Sequence, residues 1–217
     1  MRINRPGIFS KLTSPFRVEA HILVGDDGYV HLDLMGEDNK IITARQLDYH
    51  SFINHNFLIS EMMDFNITAV SETSRLLLYT KDLSGRTISL ASVDLILMNL
   101  GDSEITPSNQ YWEPYIIRYP RADQTVEGGT LLVMGVARPV NNTPLIVELI
   151  DEQGKIVGST SVSVDMPTGN LTHTPFQVAV PYTVSDTTPV RLTIRQESDQ
   201  RIPGTVSLYS MKIVLKP

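Results

Sequence analysis

The sequence predicts an all-β chain of two tandem sandwich domains, and three observations lead there. Apolar and polar residues alternate over short runs. Turns rich in Gly, Pro, Asn, Asp and Ser separate those runs at steady spacing, with no helical period in the second half. Blocks of the first half recur in order in the second.

Taken in order, residues 2–15 hold Pro6, Gly7 and Pro15 and read as an extended lead-in. Over residues 16–24, Phe16, Val18, Ala20, Ile22 and Val24 alternate with Arg17, Glu19 and His21, the period of a half-buried strand. A turn at 25–28 leads into a strand over 29–35, where Val30, Leu32 and Leu34 oppose His31 and Asp33. A second turn at 36–39 precedes a short strand over 40–44. Residues 45–56 are less regular, a loop or a helical turn, and further strands are expected over 57–59, 64–70, 75–80 and 88–98. The polar stretch 102–109 is the linker candidate, which divides the chain into domains 1–106 and 107–217. Beyond it, strands are expected over 130–137, 145–150, 155–164, 176–180, 190–196 and 205–215, joined by turn-rich segments.

The repeat is carried by three blocks. Leu32 to Ile42 matches Val147 to Val157 at an offset of 115, Arg75 to Thr80 matches Arg191 to Gln196 at 116, and Ile88 to Leu97 matches Val206 to Leu215 at 118. The drift in offset falls in expected loops, where insertions are tolerated.

The second half, through Pro120, Val126, Gly129, Leu132, Val133, Gly135 and Ala137, then Leu149, Asp151, Gly154, Phe176 and Val178, resembles the immunoglobulin-like domains of bacterial surface proteins. It is most similar to the spore-germination immunoglobulin-like domain, although Arg138-Pro139 replaces that family's usual acidic and aromatic pair. The resemblance implies two tandem immunoglobulin-like β-sandwich domains and an exported, non-catalytic module, and it carries over no functional residue.

Composition narrows function by exclusion. A net charge of −6 with no clustered Lys and Arg argues against a nucleic-acid partner. The absence of cysteine removes disulfides, thiolate catalysis and Cys-ligated zinc. No apolar run reaches the ~20 residues that span a bilayer, and residues 1–13 lack a signal peptide's apolar core. The expected location is the cell envelope or exterior, with a signal or anchor missing from this sequence; a cytoplasmic protein is the other reading. Residues 1–106 hold 14 acids and 9 bases, residues 107–217 hold 10 and 9, so the first half is the acidic one.

The candidate ligand-binding residues are Tyr111, Trp112, Tyr115 and Tyr119, which gather the chain's one Trp and three of its eight Tyr. Such rings stack on sugars or anchor a protein partner; equally, they fill a seam between domains. His21 and His31 are expected on neighbouring strands, and the acidic turns Asp26-Asp27 and Glu37-Asp38 with Asp33 could gather oxygen ligands for calcium, against the plainer reading of soluble turns. His50 and His55 lack a shared-face spacing, no catalytic or phosphate-binding motif is present, and no catalytic residue, metal site or cofactor is expected. Asn66, Asn141 and Asn170 head glycosylation-type tripeptides, read as chance in a bacterial chain. The expected function is a non-catalytic structural or protein-interaction module of the bacterial cell envelope, with a protein or cell-wall glycan as partner; a carbohydrate-binding module using the four aromatics is the alternative.

Overall fold

A computed structural model describes residues 1–53, 55–108 and 111–217. The chain is all-β: among the described residues the only helical element is one 3-10 turn, His50–Phe52. It divides into two compact units, Met1–Trp112 with Gln200–Val206, and Glu113–Asp199 with Ser207–Pro217.

In the first unit, β1 (Arg2–Arg5), β3 (Phe16–Leu23) and β6 (Asn56–Met63) form one antiparallel sheet in the order β1-β3-β6. The second sheet runs β5 (Ile41–Asp48), β4 (Tyr29–Gly36), β7 (Ser71–Lys81) and β8 (Thr87–Met98), with the short β2 (Lys11–Leu12) parallel on β8. The alternation read in the sequence sets the faces: Val18, Ala20 and Ile22 of one sheet and Val30, Leu32, Leu34, Leu76 and Leu78 of the other share one buried cluster. Burial of that cluster supplies the main drive to fold, at about 25 cal/mol per Å² of apolar surface.

The second unit is built the same way. Its smaller sheet is β9 (Tyr115–Tyr119), β11 (Thr130–Ala137) and β14 (Thr174–Pro181), in the order β9-β11-β14. Its larger sheet is β13 (Ile156–Val162), β12 (Leu145–Asp151), β15 (Thr188–Glu197) and β16 (Thr205–Leu215), with β10 (Thr125–Val126) parallel on β16. Leu131, Val133, Val147, Leu149, Leu192 and Ile194 lie in its core.

Pairing registers correspond between the units residue for residue. Leu32 pairs with Leu78 as Val147 pairs with Ile194, at the sequence offsets of 115 and 116. Each first hairpin carries a β-bulge at the same place, between Leu34 and Met35 and between Leu149 and Ile150. The following turns are closed alike: Gly36 N donates to Lys40 O and Asn39 N to Gly36 O, as Asp151 N donates to Lys155 O and Gly154 N to Asp151 O. Asn39 and Gly154 both hold positive φ, 62° and 83°, which this turn requires of its fourth residue. Arg5-Pro6 and Tyr119-Pro120 are both cis, and Phe9 and Asp123 both take positive φ three residues after the proline.

Three expectations are corrected. Residues 64–70 form no strand; Ile67 is buried but Val70 is exposed, and β7 begins only at Ser71. The expected linker is not a free tether, because Glu104 and Lys11 exchange backbone hydrogen bonds of 2.8 and 2.9 Å and Gly7 N donates to Thr106 O; its last residue, Asn109, lies outside the described residues. The first unit runs to Trp112 rather than 106, and it recruits Gln200–Val206.

Candidate functional site

The four aromatics after the linker do not form one exposed platform. Tyr111 and Trp112 are 65% and 49% exposed. Tyr115 is only 4% exposed, because β9 turns alternate residues inward and Tyr115 pairs with Ala137 on the core side. Its hydroxyl donates to Gln196 Oε1 at 3.2 Å. Gln196, fully buried, also accepts from Val140 N and donates through Nε2 to Thr143 O at 2.8 Å. Burial pushes the Tyr115 phenol pKa far up, so it stays a neutral donor. Tyr119 is half-buried against the same core and borders a shallow depression with Arg121, Ala122, Asp123 and Gln124. Only Tyr111 and Trp112 therefore keep the exposed ring area that stacking on a ligand needs.

The histidines do not converge. Successive strands β3 and β4 belong to different sheets, so His21 and His31 face away from one another across the core. His21 Nδ1 lies 3.0 Å from Asn4 Nδ2 and 3.4 Å from Arg2 Nη2; both neighbours are donors, so Nδ1 is the acceptor and the proton sits on Nε2.

His31 instead belongs to a polar cluster on the outer face of the larger sheet. Its ring stacks on Tyr79, the residue directly across on β7, at 4.8 Å and 8°. Tyr79 OH donates to Asp33 Oδ2 at 2.9 Å, Lys81 Nζ stands over the ring 5.5 Å from its centroid, and His31 Nε2 is 3.4 Å from Asp27 Oδ2. Burial, then the Asp33 carboxylate, pushes the Tyr79 phenol up to about 12. Strand alternation named His31 and Asp33, but nothing local to β7 singles out Tyr79; only the long-range pairing of β4 with β7 brings it there. The Tyr79 ring and hydroxyl are thus engaged by His31, Lys81 and Asp33 of the same sheet.

The acidic turns are likewise spent on their own backbone. Asp27 Oδ1 accepts from Tyr29 N, and Asp38 Oδ1 accepts from Lys40 N while its Oδ2 lies 2.7 Å from Lys40 Nζ. The neighbouring Lys40 holds the exposed Asp38 carboxyl below its usual range. Glu37 meets Arg201 at 3.3 Å. Among the described residues no three His, Asp or Glu side chains are placed to share a metal ion, and no helix is long and apolar enough to cross a membrane.

No protein-family model and no curated protein matches the chain. Among solved structures it is similar to a glycosyl hydrolase family 2 member from Bacteroides cellulosilyticus DSM 14838, with 11% identity and a TM-score of 0.32 over 93% of this chain and 28% of that one. It is also similar to the β-glucuronidase from Ruminococcus gnavus in complex with D-glucaro-d-lactam, with 13% identity and a TM-score of 0.27 over 97% of this chain and 37% of that one. The chain spans well under half the length of either, and likenesses this slight carry nothing about its activity.

Proposed function

We propose that the chain is a non-catalytic structural or protein-interaction module of a bacterial cell envelope, built of two immunoglobulin-like sandwiches. The observation that carries this reading is the reuse of one framework: register, bulge, turn closure and cis-proline recur, whereas the outward side chains differ. Two antiparallel sheets over a shared core, with a short parallel strand on the last strand of the larger sheet, support the immunoglobulin-like assignment. The polar chemistry of the first unit supports a non-catalytic role, since His31, Tyr79, Asp33 and Asp27 are engaged with one another. Fold alone does not select a function, so the test is direct.

Purified chain is pelleted with isolated bacterial envelope fragments, before and after protease treatment of the fragments. Protein-dependent retention is the expected outcome; absence of retention on both would sink the envelope reading. Carbohydrate binding is the second reading, favoured only by the exposed rings of Tyr111 and Trp112. It requires that retention survive protease and fall at least tenfold in Trp112→Ala.

A further inference from the structure

A row of hydrogen bonds fastens the chain beyond β8 to the N-terminal segment of the same unit, in antiparallel order. Thr13 N donates to Ser103 Oγ at 2.9 Å, Lys11 and Glu104 exchange both backbone bonds, and Thr106 N donates to Ser10 Oγ at 3.0 Å. Gly7 N donates to Thr106 O at 3.1 Å, Ser108 Oγ to Ile3 O, and Arg2 Nη1 to Tyr111 O. The side chains of this strap contribute little to the core. Ser103 to Pro107 are all exposed, whereas Ser10 and Leu12 on the segment they cross are buried.

Gly7 marks the closest approach of the strap. A Cβ there would stand 2.5 Å from Thr106 O and 2.6 Å from Pro107 O. Its counterpart in the second unit, the residue after the cis proline, is the exposed Arg121, and among the described residues no antiparallel segment lies on β10. The strap is thus an addition of the first unit to the framework that both units share.

Strand direction decides how each pairing answers a pull along the chain. Arg2 and Tyr111 are neighbours at one end of the strap, so tension drawn through them loads its bonds one after another. β2 and β8 run parallel, with Lys11 beside Ile96 and Leu12 beside Leu97, so the same tension enters and leaves at opposite ends and loads their bonds together. The parallel pair of β10 and β16 does likewise in the second unit. Each bond is individually weak, so bonds met singly yield at lower tension than bonds that share the load. We propose that the strap is a tension-released reserve of length, which peels from the N-terminal segment while both sandwiches stay folded. The interval from Ser103 to Tyr111, at about 3.4 Å per residue, is about 27 Å long, and because it is folded back its opening lengthens the chain by about 5 nm. It closes again when tension falls, since no core side chain has left its place.

This inference deepens the structural reading above and rests on it. It is tested by stretching the purified chain between two handles in optical tweezers. The chain has no cysteine, so a cysteine added at each end fixes the handles there alone. One reversible lengthening of about 5 nm is expected before either unit unfolds. Gly7→Ala sets a methyl group against Thr106 O, and Glu104→Lys replaces the ion pair with Lys11 by two like charges. Each is expected to shift the strap toward open at a given tension by at least about tenfold. Arg121→Ala is expected to leave the step unchanged, and moving the second handle to Asp102→Cys, ahead of the strap, is expected to abolish it. No step before unfolding, a step that neither strap variant shifts, one that Arg121→Ala shifts, or one that persists with the handle at Asp102→Cys would each overturn the inference. Retention on envelope fragments without a step overturns the strap alone, and a step without retention overturns the envelope reading alone.

Discussion

Arg75 sits directly across from Asp94 on neighbouring strands, with Nε 2.6 Å from Oδ1 and Nη2 3.0 Å from Oδ2, and both side chains are almost wholly removed from solvent. Such a fork is a strong pair once formed, but its formation gives up the hydration of two ions. Removing one partner strands the other. Asp94→Ala is expected to lower the unfolding free energy by about 3–5 kcal/mol in urea titrations, while the double variant Arg75→Met/Asp94→Leu recovers most of the loss.

The hairpin turns offer a matched pair of backbone tests. Asn39 and Gly154 hold equivalent positive-φ positions. Asn39→Gly is expected to be neutral or slightly stabilising and Gly154→Ala to cost about 1 kcal/mol, both read from the thermal midpoint.

Tyr115 and Gln196 make a second buried pair whose worth is separable. Tyr115→Phe removes one donor but leaves Gln196 Oε1 its bond from Val140 N, so about 1 kcal/mol is expected to be lost. Tyr115→Ala adds a cavity and is expected to cost about 3–5 kcal/mol.

Alkaline pH should expose both raised phenols. In the unfolded chain a tyrosine ionises near its model value of 10.0, whereas Tyr79 in the folded chain holds its proton to about 12 and Tyr115 is also raised. The stabilisation is therefore complete below about pH 10 and is lost as pH climbs through the folded values. Unfolding free energies from pH 8 to 12 are expected to fall in the upper half of that range, and the fall should be shallower in Tyr79→Phe.

Most of the strands were legible because burial on one face writes itself as period two: β3 reads out its alternation from Phe16 to Leu23 and buries every second residue. Residues 64–70 misled the same rule, since Phe65, Ile67 and Val70 sit in a crossing between sheets where only Ile67 is fully buried. The linker misled by composition: Asp102 and Ser103 are polar, but the backbone of Glu104 completes a pairing with Lys11, and backbone hydrogen bonds leave no mark on side-chain chemistry. The candidate site was legible in part. Clustering picked out Tyr111, Trp112, Tyr115 and Tyr119, yet clustering carries no information on which ring a strand will turn inward, and the His31–Tyr79 stack depends on a pairing across more than forty residues.

Ile202 is 1% exposed in a stretch assigned to the first unit, where Pro203 O accepts from Arg75 and Val206 O from Ser92. Ile202→Ala is accordingly expected to cost about 2–5 kcal/mol, read as faster hydrogen exchange in β7 and β8. A chain emerging residue by residue from the ribosome has all eight of that unit's strands long before these seven residues arrive. That unit must wait, unfinished, for a segment made only after most of the second unit, and no single cut of the polypeptide yields both units whole.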